Sequence, residues 1–311
     1  MSQITDTLLM VRPANFRMNE QTAVNNFFQS KTPASPEQVN ALAQNEFDNF
    51  VKKLRSVGVH VIVVDDTASP DTPDALFPNN WISFHANGDV ALYPMFAENR
   101  RLERRDDILE RVESEGFIIE NIIDYTTAEE EQIYLEGTGS LVLDRAHQKA
   151  YCALSPRADE DLIIEFCEDF EYTPVIFTAY QTVNDQRLQI YHTNVMMALA
   201  ETFAVICLES IDDKSERKNV VKHLKENGKE IIDISEEQME KFAGNMLQVK
   251  SKNGIPFMVM SEVAFQCLSQ TQVNAIRKHC EILYSSLSTI EKCGGGSARC
   301  MMAEVFLPKK Q

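Results

Sequence analysis

The chain has 311 residues, with 30 Lys plus Arg against 47 Asp plus Glu and a formal net charge of −17. That acidity repels nucleic acid and anionic membranes and sets both aside as partners. A hydrophobic share of 44% and a charged share of 25% exclude a disordered chain, and the length suffices for a large core.

In chain order, Leu8 to Val11 reads as a first buried strand, ended by Arg12-Pro13. Ser35-Pro36-Glu37-Gln38 is a helix start, with Ser as N-cap, Pro at the first helical position and Gln closing a capping box. Val39, Leu42, Phe47, Phe50, Val51, Leu54 and Val57 give that helix an apolar face, which ends at Gly58. Val59 to Val64 is a second strand. Pro70 to Pro78 is a proline-rich loop leading to Asn79-Asn80-Trp81, and Val90 to Met95 reads as a strand. Arg100 to Glu115 reads as one charged helix buried along Leu102, Ile108, Leu109 and Val112, followed by a strand over Phe117 to Ile123. Ile133 to Glu136 and Leu141 to Asp144 flank Gly137-Thr138-Gly139-Ser140, a strand–turn–strand signal. Lys149 to Leu154 is a strand, and Pro156 opens a helix to about Phe170.

The second half repeats the pattern. Strands are predicted at Pro174 to Phe177, Gln189 to Met197, Phe203 to Leu208, Glu230 to Ile234, Met246 to Val249 and Phe257 to Met260. Helices are predicted at Asp213 to Glu226, Glu236 to Phe242 and Gln270 to Cys280. Met301 to Leu307 reads as a last buried strand. No Pro/Gly/Ser-rich linker divides the chain, so residues 1–311 read as a single domain of recurring strand, strand, helix, strand units of class α/β.

The seven cysteines are scattered and odd in number, which argues against a disulfide framework and fits a reducing compartment. The opening residues carry no basic leader and no apolar run is long enough to span a bilayer, so cytoplasmic location is the expectation. The six histidines form no close pair and no zinc-type spacing, so neither a metal nor another cofactor is expected. A small-molecule substrate is the expected partner, and a homo-oligomer is left open.

Three segments combine reactive side chains with predicted strand ends. Glu136 stands beside Gly137 and Gly139. His192 lies in an apolar segment with Asn194 two residues on. Cys300 follows Gly294-Gly295-Gly296. Alone, each has an ordinary reading: an exposed hairpin Glu, a satisfied core His, a buried structural Cys beside a glycine turn. Together they supply a nucleophile, a proton shuttle and a polarising carboxylate. His85, near Asn79-Asn80, is a second proton-transfer candidate.

The order Glu136…His192…Gly294-Gly295-Gly296…Cys300 resembles the guanidino-group-modifying superfamily of arginine deiminases, dimethylarginine hydrolases and amidinotransferases, in particular its citrulline-utilisation hydrolase branch. The resemblance implies a five-bladed α/β propeller of ββαβ units around a central site. It implies Cys300 as nucleophile, His192 as general acid and then base, and Glu136 as the carboxylate aligning His192 or the substrate nitrogens. It implies Arg157 as partner of a substrate carboxylate, with Arg101 or its neighbour Arg100 assisting, and Asn80 and Asn194 as substrate-binding residues. Many members carry Arg-Asp where this chain has Asn79-Asn80, and His-x-Asp where it has His192-Thr193-Asn194. Two aspartates clamp a guanidinium, whereas an amide both donates and accepts hydrogen bonds. The asparagines therefore favour a neutral ureido group such as that of citrulline, and the resemblance to the citrulline-utilisation branch implies its hydrolysis to ornithine, ammonia and carbon dioxide. The alternatives are an arginine- or methylarginine-type hydrolase, an amidinotransferase, and a non-catalytic amino-acid-binding protein.

Overall fold

In the computed structural model, which describes residues 2–310, β1 (Thr7–Arg12) runs parallel to β2 (His60–Asp65) across the helix Pro36–Ser56. β3 (Ile82–Phe84) pairs antiparallel with β4 (Asp89–Leu92), and β4 parallel with β5 (Asn121–Asp124). β6 (Leu141–Asp144), β7 (Lys149–Leu154) and β8 (Thr173–Thr178) repeat this pattern. β9 (Tyr180–Val183) and β10 (Gln186–Gln189) form a separate hairpin. The pattern returns in β11 (Met197–Leu199), β12 (Phe203–Ile206) and β13 (Glu230–Asp233), then in β14 (Leu247–Lys250), β15 (Pro256–Ser261) and β16 (Glu281–Ser285). β17 (Ala303–Glu304) pairs antiparallel with β1, so the two ends of the described chain share one sheet. The result is an α/β fold of five mixed three-stranded sheets beside the hairpin. Each parallel pair needs a crossover, and helical segments supply it.

The Ser35 capping box forms as predicted: its hydroxyl accepts from the Gln38 amide while Gln38 accepts from the Ser35 amide at 3.0 Å. Phe47, Phe50, Val51 and Leu54 are buried, but Leu42 is 51% exposed. At about 100° per residue it lies well round the helix from those four. The helix predicted over Arg100 to Glu115 is two, Glu98–Arg101 and Asp106–Ser114, and Leu102 is exposed. Arg100, Glu103, Ile108 and Val112 are all buried. One continuous helix would spread them over about half its circumference, and the break re-aims the second half.

Three further corrections concern the site. Gly137–Ser140 is a helical turn and not a hairpin loop. Gly137 has φ +43°, and a Cβ there would lie 2.5 Å from the Asn79 carbonyl oxygen. The segment predicted as a strand from Gln189 to Met197 holds the turn Thr193–Met196 instead, with His192 at its N-terminal edge. A wholly buried turn and a buried strand present the same unbroken apolar run. Cys300 lies in the 3₁₀ turn Ala298–Met301, and the strand beyond it is only Ala303–Glu304.

These turns recur. Pro78–Asn80 leads into β3, Gly137–Ser140 into β6, Thr193–Met196 into β11, and Ala298–Met301 into β17. The bend at 241–244 precedes β14 in the same way.

Candidate active site

Those entries deliver the reactive side chains. Asp74, Asn80, Arg100, Arg157, His192 and Cys300 line one cavity of about 250 Å³ of empty space, with Tyr191, Gly294 and Gly296 completing part of its wall. Glu136 stands behind His192: its Oε2 is 2.7 Å from His192 Nε2, and both residues are buried. Gly139 permits this approach, because a Cβ there would lie 2.4 Å from Asn80 Nδ2 and 2.8 Å from His192 Nδ1.

Burial would raise the Glu136 carboxyl, but Arg157, His192 and Arg100 together hold it well below the usual carboxylate range. Arg157 Nη1 lies 3.4 Å and Arg100 Nη1 3.9 Å from Glu136 Oε2. Burial drives the His192 imidazole down to about 4, although Glu136 pulls the other way. At neutral pH His192 is therefore uncharged. Its proton sits on the nitrogen facing the ionised Glu136, and the other nitrogen is free to accept one.

Arg157 Nε donates to Asn25 Oδ1 at 2.9 Å and Nη2 to the Thr22 carbonyl at 2.9 Å, and its guanidinium lies 4.9 Å from the centre of the Tyr191 ring. Arg100 makes a two-pronged pair with Glu103, at 2.8 and 2.9 Å, and donates to Asn80 Oδ1 at 2.8 Å. Asn80 thus has its carbonyl occupied, and its Nδ2 donates one hydrogen to Asn79 Oδ1 at 3.2 Å, which leaves the second hydrogen.

Two predicted residues lie elsewhere. Arg101 is outside the cavity lining, with Nε donating to the Met95 carbonyl at 3.1 Å and pairing with Glu129 at 3.5 Å. On this short helix Arg100 faces inward and its neighbour Arg101 faces out. His85 stacks on Phe170 with ring centres 4.0 Å apart and bonds Ser83 Oγ at 2.8 Å, away from the cavity lining. Asn194 is buried but turns to the thiol: its Nδ2 is 3.6 Å from Cys300 Sγ and 3.4 Å from the Thr138 carbonyl.

Two residues were not singled out from the sequence. Asp74 accepts from Asn19 at 2.8 Å and Thr22 at 3.2 Å, while its Oδ1 is buried without a hydrogen-bond partner among the described residues. Burial raises its carboxyl against the pull of Arg100. Asn245 is fully buried and donates to Cys300 Sγ at 3.2 Å. The recurring turn before the first strand of a unit is the one signal that would have pointed to Asn245.

The glycines before Cys300 serve close packing more than turning. Only Gly295 has positive φ, +62°, whereas Cβ atoms at Gly294 and Gly296 would lie 2.9 and 3.0 Å from the Phe77 ring.

The family model described as N,N dimethylarginine dimethylhydrolase, eukaryotic, matches residues 12–307. No curated protein matches the chain by sequence. Among solved structures, apo ArgZ, an arginine dihydrolase from the ornithine-ammonia cycle in Cyanobacteria, superposes with a TM-score of 0.73 at 16% identity. That match covers 98% of this chain but 41% of ArgZ, so the chain spans less than half the length of that relative. The N-terminal domain of ArgZ bound to product matches with a TM-score of 0.69 at 16% identity, covering 99% of this chain and 100% of that domain. A dimethylarginine dimethylaminohydrolase variant in adduct with S-methyl-L-thiocitrulline matches with a TM-score of 0.63 at 14% identity, covering 97% and 99%. The chain belongs to the eukaryotic N,N dimethylarginine dimethylhydrolase family, within the guanidino-group-modifying superfamily.

Proposed function

We propose that the chain hydrolyses the ureido group of a linear amino acid, citrulline in first place, to ornithine, ammonia and carbon dioxide, without a cofactor. The observation that carries this is the convergence on one cavity of Cys300 and His192, the latter backed by the buried carboxylate of Glu136. The Cys300 thiol passes its proton to the free nitrogen of His192, whose cation Glu136 stabilises. The thiolate attacks the ureido carbon. His192 returns the proton to the departing nitrogen, ammonia leaves, and an S-linked intermediate remains. Water, deprotonated by His192, breaks the sulfur–carbon bond, and the released carbamate splits into carbon dioxide and ornithine.

The remaining hydrogen of Asn80 Nδ2 supports a carbonyl-bearing substrate. Arg157 and Arg100 offer the charge that a substrate carboxylate needs. Asn194 serves the thiol in this reading. A second reading, hydrolysis of arginine or a methylated arginine, is favoured by Asp74, a cavity-lining carboxylate with one oxygen buried and without a hydrogen-bond partner among the described residues, which suits a cationic group. Solved relatives described as an arginine dihydrolase and a dimethylarginine dimethylaminohydrolase point the same way. Transfer to an amine instead of water is the remaining branch.

Residues 1–311 are read as one domain, the five ββαβ units forming a propeller around the cavity. The packing of β17 on β3, of β6 on β11 and of β11 on β14 supports that arrangement. Free cysteines throughout the described residues fit a cytoplasmic setting.

The test measures ammonia, ornithine and citrulline release from citrulline, arginine, agmatine and methylated arginines, with and without an added amine. Cys300→Ser serves as control. Ornithine from citrulline, lost by roughly 10⁴-fold or more in the variant, is the expected result. Turnover of arginine far above citrulline would overturn the ureido reading and leave the second one.

A further inference from the structure

Five turns precede the first strands of the five sheets. Four bring Asn80, the residues after Glu136, Asn194 beside His192, and Cys300. The fifth brings Asn245, two residues before β14. We infer that Asn245 is a catalytic residue that binds the Cys300 sulfur through its amide and holds it as the thiolate. The inference rests on the reading of Cys300 as nucleophile and is independent of which substrate it attacks.

The orientation of the Asn245 amide is set by its neighbours. Its Oδ1 accepts from the Arg299 backbone amide at 3.0 Å, so its –NH₂ end must face the other way. One hydrogen reaches Asn194, whose carbonyl oxygen is 3.0 Å and Oδ1 3.3 Å away. The other is directed at Cys300 Sγ, 3.2 Å away. The Asn194 side chain is oriented in turn, with Nδ2 toward the Thr138 carbonyl and, at 3.6 Å, toward the same sulfur. The sulfur therefore has one close amide donor, Asn245, in a buried site, while the Asn194 amide stands farther off, its Nδ2 at 3.6 Å and its Oδ1, an acceptor for the thiol proton, at 3.7 Å. Donation to a sulfur stabilises its anion over its neutral form, and burial strengthens the preference.

Among the described residues the neighbouring guanidiniums are engaged elsewhere, and Arg299, whose charge also acts on the sulfur, is turned to the Met302 carbonyl and Glu304. Arg100 is held by Glu103 and Asn80, and Arg157 by Asn25, Thr22 and Glu136. The placement of Asn245 is also tight. A Cβ on the preceding Gly244 would lie 2.2 Å from the Val195 carbonyl oxygen, so glycine lets this bend lie directly on the turn Thr193–Met196. The amide is thus fixed before substrate arrives.

The experiment uses the full chain without substrate. Alkylation of Cys300 by iodoacetamide is followed peptide by peptide across pH 5 to 11, together with thiolate absorbance. In Asn245→Ala the Cys300 pKa rises by about 1–2 units, and alkylation at fixed pH below it falls by about 10–100-fold. The acid limb of the kcat profile moves up by the same amount, so activity returns as pH is raised, while KM changes little. Asn245→Asp keeps the shape and the acceptor for the Arg299 amide but turns an oxygen to the sulfur. It gives at least the same rise and covers the case in which the alanine variant does not fold. A Cys300 pKa unchanged in either folded variant overturns the inference, even if turnover falls. A wild-type Cys300 that resists alkylation at every pH overturns both the nucleophile reading and this one. A reactive Cys300 with the expected shift, in a protein inert toward citrulline, sinks the substrate reading alone.

Discussion

On one side of the cavity Asp74, Glu103 and Glu136 are buried with Arg100 and Arg157, separated by 2.8 to 3.9 Å. On the other side the reacting sulfur has for hydrogen-bond partners the amides of Asn194 and Asn245. The first wall is a set of paired, buried ionisable groups, with burial raising the carboxyls of Asp74 and Glu103 against the pull of Arg100. Such a set contributes little net stability once desolvation is counted, but removing one member leaves another charge buried and unpaired. The second wall is neutral, so the variable charge there is the one that appears and disappears on sulfur. The charges on the first wall fix the protonation of His192, while the amides on the second stabilise whatever charge the sulfur takes. The two walls should therefore fail in different ways.

The largest effect is expected on the charged side. Glu136→Gln removes the negative charge that fixes the His192 tautomer and leaves Arg157 and Arg100 without their shared anionic partner. We expect kcat to fall by roughly 10²–10⁴-fold and stability by about 3–5 kcal/mol, read by steady-state kinetics and chemical denaturation. Near-normal turnover would mean that Glu136 does not set the proton on His192.

Gly139→Ala sharpens the comparison by moving that wall without changing its charge. The new methyl presses on Asn80 and His192, both held by partners of their own. A displacement of this kind should lower kcat by about 10–100-fold while the pH-dependence of Cys300 alkylation stays at the wild-type value. A shifted thiol titration in this variant would show that the two walls are not separable.

The smallest expected effect on turnover concerns Glu291, which lies behind the glycine loop and accepts from Ser297 Oγ at 2.6 Å. Burial pushes its carboxyl up to about 7, against hydrogen bonds from Ser261 and Ser297. Its folded-state value is above the unfolded one. Its contribution to stability is therefore complete below about pH 4.5 and lost as pH rises through 7. Glu291→Gln should be more stable than wild type at pH 8 by up to about 3 kcal/mol and no more stable below pH 4.5, measured by urea denaturation at each pH. His192 acts on the opposite limb. Its value falls from the ordinary 6.5 to about 4 on folding, so stability is lost as pH falls through that interval. An alkaline limb unchanged in the Glu291 variant would place the cause elsewhere.

The chemistry-bearing residue types were the legible part of the site. Cys300 stood behind three glycines, Glu136 between a leucine and a glycine, and His192 in an apolar run, and these gave a nucleophile, a carboxylate and a base before any contact was known. Asn245 was illegible because Gly244-Asn245 carries no reactive group, and its partners are 50 or more residues away in the chain. Asp74 was hidden in a loop read only for its prolines. The sequence leaves Arg100 and Arg101 undecided, because periodicity does not say which way a four-residue helix turns when the next helix starts on a new axis.

The sequence by itself determined the repeating strand, strand, helix, strand order, the capping box at Ser35 and the residue types Cys300, Glu136 and His192 proposed as nucleophile, carboxylate and base. These are local: they follow from periodicity, from backbone hydrogen-bond accounting at helix ends and from side-chain chemistry. Tertiary structure alone decided that turns, and not strands, bring His192 and Cys300 to the cavity and Glu136 behind His192. It also decided that Asn194 serves the sulfur and that a fifth sheet brings Asn245 to it. Those facts depend on distances between segments far apart in sequence. They are fixed by close approaches at Gly137, Gly139 and Gly244 that only the packed sheets impose.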